Sequence, residues 1–231
     1  MNRSILLLLL SFLAVNCFSQ TVKYKGKEFE MYNVTAVLER FNGEEVIRVE
    51  RDLKSFPFDL KNLSKTVDGP TFIKVKGLDF VNGTIEVKVL SRIQDPSPFE
   101  MARGFIGLAF RINESISSFE AIYLRPSLGR ARNQFSRNHS IQYFSYPDFK
   151  FDTLRKSSPG MYETAAPIAL NEWITMRIEI NGQQVELFLN NAKYSNFIID
   201  KMKGNNNSGG IALWVDIGTI GYFKDLKITK R

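Results

Sequence analysis

The sequence has one cysteine, Cys17, and one histidine, His139, among 231 residues. A lone cysteine forms no internal disulfide and excludes thiolate zinc clusters and paired-thiol redox motifs. A lone histidine excludes a multi-histidine metal centre. Amphipathic helical periodicity is also missing. Only "PFDLKNLSK" reads as a helical turn, and no segment repeats. Nor is there the run of about 20 apolar residues that a membrane-spanning helix needs.

The longest apolar run, Ile5 to Val15, follows Arg3 and leads into Cys17-Phe18-Ser19. A charged start, a short apolar stretch and small residues before a cut describe an export signal. Residues 1–19 are therefore read as a signal peptide cleaved near Ser19–Gln20, in a bacterial protein that is secreted or periplasmic. Lipid anchoring at Cys17 is the alternative. Cleavage would leave no cysteine, so the mature chain would rest on its apolar core alone.

Aromatic residues are plentiful, with 19 Phe and 8 Tyr, and together with Val and Ile they favour strands. The net charge is +7. No nucleic-acid-binding module accompanies that charge, so it is read as solubility or contact with acidic surfaces, with no nucleic-acid partner.

Three Asn-Gly pairs stand beside alternating runs, the strongest short-range hairpin signal because both residues tolerate positive φ. Asn42-Gly43 joins "VTAVLERF" to "EEVIRVERD", Asn82-Gly83 opens "GTIEVKVL", and Asn181-Gly182 lies between "WITMRIEI" and "QQVELFLN". Further strands follow in "GFIGLAFRI", "FEAIYLRP", "HSIQYFSY", "GGIALWVD" and "YFKDLKIT", while "GNNNSGG" is a surface turn. Many short strands with turns between them predict an all-β, two-sheet antiparallel jelly roll. Residues 20–64 read as a strand-rich N-terminal extension packed on a main domain spanning 65–231.

Alternation along the strands separates two faces. Ile106, Leu108, Phe110 and Ile112 point one way, as do Ile122 with Leu124, Ile174 with Met176, and Ile211 with Leu213. The opposite face mixes small residues (Gly107, Ala109, Ala121, Ala212) with Arg111, Tyr123, Arg125, Arg177 and Trp214. Small floor residues, aromatic walls and planar guanidinium forks are the chemistry of a ligand-binding concavity, and sugars suit it.

"GFIGLAFRI", "EAIYLRP", "NEWITMRIEINGQQVELFLNN" and "GGIALWVDIGTIGYFKDLKIT" resemble the concanavalin A-like lectin/glucanase superfamily. Within it they look most like the secreted bacterial 3-keto-disaccharide hydrolases, over roughly residues 68–229. The resemblance implies a carbohydrate ligand on the concave face of the jelly roll and a possible (3-keto-)glycoside hydrolase. The Glu-x-Asp-x-Glu strand of the glucanase branch is missing, which speaks against a retaining carboxylate pair and for a lectin-like or adhesion module.

The substrate-binding candidates are Arg111, Tyr123, Arg125, Arg177 and Trp214 on the mixed face, with Gln142 beside them. Arg132, Arg137 and Arg155 join from the loops. The catalytic candidates are His139, at the rim, as a general base, and Glu163, a carboxylate partner that orients one of these loop arginines. The bland alternative is a structural histidine and a carboxylate that only pins a loop. No cofactor is predicted and no metal site is assigned; an oxygen-ligand site for a hard cation such as calcium stays open.

Overall fold

A computed structural model describes residues 20–231; the expected signal peptide and Cys17 lie outside the described residues. Strands β1 (Thr21–Tyr24), β2 (Lys27–Tyr32), β3 (Val34–Phe41), β4 (Glu44–Arg51) and β5 (Phe72–Val75) come first. They are followed by β6 (Gly83–Ile93), β7 (Ile106–Ile112), β8 (Phe119–Leu124), β9 (Ile141–Tyr146) and β10 (Glu163–Thr164). The last five are β11 (Ile174–Asn181), β12 (Gln184–Leu189), β13 (Phe197–Ile199), β14 (Gly210–Val215) and β15 (Thr219–Lys230). Three short helices, α1 (Leu63–Thr66), α2 (Gln134–Arg137) and α3 (Phe151–Ser157), sit in the connections.

The strands form an eight-stranded sheet, ordered β1-β2-β5-β14-β7-β8-β9-β10, and a seven-stranded sheet, ordered β13-β12-β11-β6-β15-β4-β3. The pairings between neighbouring strands are antiparallel throughout. This is the all-β jelly-roll sandwich that the alternating runs predict. Residues 21–51 supply β1 and β2 to one sheet and β3 and β4 to the other.

Alternation builds the core directly. Ile106, Leu108, Ile122, Leu124, Ile211 and Leu213 from the eight-stranded sheet meet Ile85, Val87, Ile174, Met176 and Ile178 from the other, all essentially buried. Each such side chain contributes about 1.5–3 kcal/mol on leaving water. The hairpin pairs behave as their chemistry requires: Asn42 and Gly43 both take positive φ, as does Gly182.

Alternation fails within β7. Arg111 has φ 52°, and the register between β14 and β7 shifts between Gly210 and Ala212. This bulge turns the rest of β7 over, so Ile112 leaves the inter-sheet core, where Phe110 lies, and joins the cluster on the far face. An extra residue in one strand resets the side-chain period, so the two-residue pattern read through Ile112 does not hold there.

That far face is a second hydrophobic layer. Trp214, Tyr123, Phe144, Phe119 and Phe72 pack over Ala109, Ala121 and Ala212, all buried. A Cβ at Gly107 would lie 2.2 Å from the Ile122 carbonyl oxygen, so this position serves close strand approach. The small residues expected to leave room for a ligand therefore make room for neighbouring aromatic rings.

Two helices escape the period analysis. α2 and α3 span four and seven residues. They are too short to show amphipathic periodicity or to be stable alone. Tertiary contacts hold α3: Leu154 is buried, and the Phe151 backbone N–H donates to Asp68 Oδ2 at 3.0 Å.

Candidate functional site

A pocket of about 360 Å³ opens where the aromatic layer meets these helical connections. Phe99, Phe105, Phe135 and Phe151 supply aromatic wall, with Leu63 and Val67 beside them. Asp68, Tyr123, Arg125, His139, Arg155 and Asp216 bring polar groups to it, and Arg103 completes them.

Topology positions the acidic side. Asp216 directly follows β14 in the middle of the sheet, and Asp68 (φ 50°) lies in the turn that leads to β5. Both are only 2% exposed. Asp216 is saturated with donors: Oδ1 accepts from Arg51 Nη1 and the Ile217 N–H, each at 2.7 Å. Its Oδ2 accepts the Asp68 N–H at 2.9 Å. Arg51 also donates to the carbonyls of Phe56 (3.0 Å), Pro57 (3.0 Å) and Thr66 (2.7 Å), fastening the 52–66 loop behind the pocket.

Asp68 is in a different state. Burial pushes its carboxyl up to about 6, the Asp216 charge adds to that, and the Phe151 N–H, Arg125 and Lys150 oppose it. Its Oδ2 takes the Phe151 N–H. No group among the described residues hydrogen-bonds Oδ1. Lys150 is engaged elsewhere, donating to the carbonyls of Ser64 at 2.8 Å and Val67 at 2.9 Å.

The basic side comes from β8 and α3. Arg125 follows β8 and precedes Pro126; its guanidinium lies over the rings of Tyr123 (5.1 Å) and Phe151 (5.8 Å). Arg125 Nη2 donates to the Tyr123 hydroxyl at 2.5 Å, and Nη1 makes a long contact of 3.4 Å to the His139 carbonyl. Burial pushes the Tyr123 hydroxyl pKa well up, so it stays neutral. Arg155 in α3 donates through Nε to Glu163 Oε2 at 2.9 Å, across from β10. His139 Nδ1 stands 3.0 Å from the same oxygen without forming a hydrogen bond. Burial and the Arg155 charge lower the His139 pKa against the pull of Glu163, which favours a neutral imidazole. Phe135 stands edge-on to that imidazole, ring centres 4.6 Å apart, and is 75% exposed at the pocket mouth.

Of the residues singled out from sequence, the fold brings Tyr123, Arg125, His139, Arg155 and Glu163 together at this pocket, Glu163 as the partner behind the lining. It does not bring the others. Arg111 is turned by the bulge to bond the carbonyls of Gly182 (2.5 Å) and Asn206 (3.1 Å), joining β7 to the far sheet's hairpin. Arg177 lies on β11 in the seven-stranded sheet, its guanidinium 3.8 Å from the Phe188 ring centre and paired with Glu179. Trp214 is fully buried, its indole N–H donating to the Gly69 carbonyl at 2.9 Å. Gln142 is buried, its amide nitrogen donating to the carbonyls of Tyr143 and Tyr162, each at 2.9 Å. Arg132 and Arg137 are exposed, and Arg137 donates to the Ala131 carbonyl at 2.7 Å.

Asp68, Asp216, Arg51, Arg103 and the phenylalanine walls have no motif in the sequence. The one local signal is an aspartate directly after an apolar strand in "IALWVDIG", a position that must be either exposed or paired. Among the described residues, no group of three or more His, Cys, Asp or Glu is placed to hold a metal ion. No helix among them is long and apolar enough to cross a membrane.

The likeness to known proteins lies in the fold. The carbohydrate-binding module CBM66 from Bacillus subtilis superposes with a TM-score of 0.50 and 15% identity, over 85% of this chain and 94% of that one. Bacillus licheniformis β-glucanase gives 0.47 and 10% identity over 92% of each chain. The galectin LEC-6 of Caenorhabditis elegans gives 0.38 and 13%, over 67% of this chain and 91% of that one. No protein-family model matches the chain, and no curated protein sequence matches it. What the chain shares with CBM66 is the two-sheet jelly-roll fold. The finer resemblance, to the 3-keto-disaccharide hydrolases, has no support among these matches.

Proposed function

We propose that this is an exported carbohydrate-binding protein whose pocket takes the terminal unit of a glycan. The observation that carries the reading is Phe135, an aromatic ring 75% exposed yet lining a pocket with a polar floor. An exposed ring at a pocket mouth offers a flat surface to the C–H face of a sugar. Asp68 Oδ1 and the Arg125 fork then stand inside as acceptor and donors for hydroxyls. A fold shared with a protein named as a carbohydrate-binding module supports this. Export rests on the leader-like residues 1–19, and packing of the 20–64 extension on the main domain is supported by the strands that 21–51 give to both sheets.

Hydrolysis is a second reading, favoured by the Asp68 carboxyl, whose raised pKa suits a proton donor to a leaving oxygen. The Asp216 oxygens are occupied by three donors. Neutral His139 is the remaining proton acceptor at the pocket.

A glycan array followed by calorimetry tests binding, and release of reducing sugar from every bound glycan tests hydrolysis. The Phe135→Ala protein should lose about tenfold or more in affinity, in line with an aromatic stacking contribution of about 1.5 kcal/mol. Unchanged affinity in that variant would move the ligand off this pocket. Absence of any glycan binding would remove the reading.

A further inference from the structure

The ion pairs around the pocket do not use up its positive charge. Arg51 is matched with Asp216 at 2.7 Å and Arg155 with Glu163 at 2.9 Å. Arg125 has no carboxylate within ion-pairing distance among the described residues, although it is only 6% exposed. Its polar contacts are one neutral hydroxyl and one long carbonyl contact. A guanidinium held this deep normally has an anion beside it, because an unpaired buried charge forfeits its hydration. Arg103, also lining the pocket, likewise lacks an ion pair among the described residues and spends one nitrogen on the Ala102 carbonyl at 2.9 Å. Two unmatched guanidiniums therefore face the single unmatched carboxyl of Asp68.

We propose that the pocket recognises an acidic sugar, a glycan ending in a uronic acid, whose carboxylate is taken by Arg125 with Arg103. The inference rests on the sugar-binding reading and names its substrate class. A planar carboxylate matches a guanidinium fork with two parallel hydrogen bonds, and a neutral hydroxyl cannot supply the missing charge. Arg125, Arg103 and the neighbouring Lys150, which bonds only carbonyls, outnumber the Asp68 carboxyl, so positive charge is left for an anion. The aromatic walls exclude water around the pair, which strengthens it relative to a surface contact.

The test is calorimetry of the mature chain against oligosaccharides ending in glucuronate, galacturonate or mannuronate, each beside its methyl ester. Esterification removes the charge and keeps the sugar. At least one uronate should bind, with its ester about tenfold or more weaker, as expected for losing a charge-assisted contact. Arg125→Lys keeps the charge but loses the fork and should weaken uronate binding about tenfold. Arg103→Gln, at a less buried position, should narrow the acid-to-ester ratio even if the Arg125 variant fails to fold. Arg130→Ala is the control, since Arg130 is exposed and paired with Glu172 at 2.7 Å. Esters or neutral glycans binding as tightly as the acids would overturn the acidic-sugar inference and leave sugar binding standing. No binding by any glycan would overturn both.

Discussion

The backbone N–H of Asp68 donates to Oδ2 of Asp216 at 2.9 Å, across 148 residues of sequence. That single bond puts two aspartates on one pocket and gives them opposite characters. Asp216 also receives Arg51 and the Ile217 N–H and holds its charge in place. Asp68 faces that charge from a buried position with one oxygen unbonded, and its affinity for a proton rises.

Stability should therefore carry an Asp68 signature. Its pKa lies at about 6 in the fold against 3.8 for an ordinary aspartate, so between those values the native state binds the extra proton. Stability from this group is lost as pH rises through that window, by at most about 3 kcal/mol for two pKa units. His139, with its pKa lowered, acts in the opposite direction as pH falls. Urea unfolding of wild type and Asp68→Asn between pH 4 and 8 separates the two. The variant should gain stability relative to wild type at high pH, and a constant difference across the range would refute the assignment.

Arg51→Met should be strongly destabilising. It leaves the buried Asp216 carboxylate without its cation and frees the Phe56, Pro57 and Thr66 carbonyls. Breaking one side of a buried ion pair costs about 3–5 kcal/mol. A double variant, Arg51→Met with Asp216→Asn, should recover part of that loss in chemical denaturation. If the double variant is no better than the single, the pair is not the source of the cost.

Arg111 and Phe135 should behave as opposites. Arg111→Leu removes part-buried bonds to the Gly182 and Asn206 carbonyls, at about 1 kcal/mol each, and should leave glycan binding unchanged. Phe135→Ala should change stability by less than about 0.5 kcal/mol, as expected for an exposed position, while binding falls. Thermal melts and calorimetry on both proteins decide this; weakened binding in Arg111→Leu would place ligand at the wrong end of the sheet.

Export can be read by mass. The secreted chain should begin near Gln20, and reductant should not move its melting temperature once Cys17 is gone. A species that keeps Met1, or carries lipid on Cys17, would contradict cleavage at that point.

Much of the fold was legible because strand burial repeats every second residue. Ile122 with Leu124, Ile174 with Met176, and Ile211 with Leu213 sort to the core by counting alone. Asn42-Gly43 marks a hairpin because few other pairs accept the required backbone, and Gly182 takes the positive φ in the turn after β11. Tyr123, Arg125 and His139 were legible as site candidates, since they sit on or beside one strand pair. Counting failed at Arg111, where a bulge decides which way the side chain points, and at Arg177, because parity does not say which sheet a strand joins. The acidic half of the pocket was beyond sequence reading altogether. Asp68 and Asp216 meet only because β5 and β14 pair, and Arg51 reaches them from the other sheet. Local alternation determined the strands and their inner faces, since those depend on neighbours in the chain. Tertiary structure alone decided the pocket, because its charges and pKa values depend on groups that only folding brings within a few ångströms.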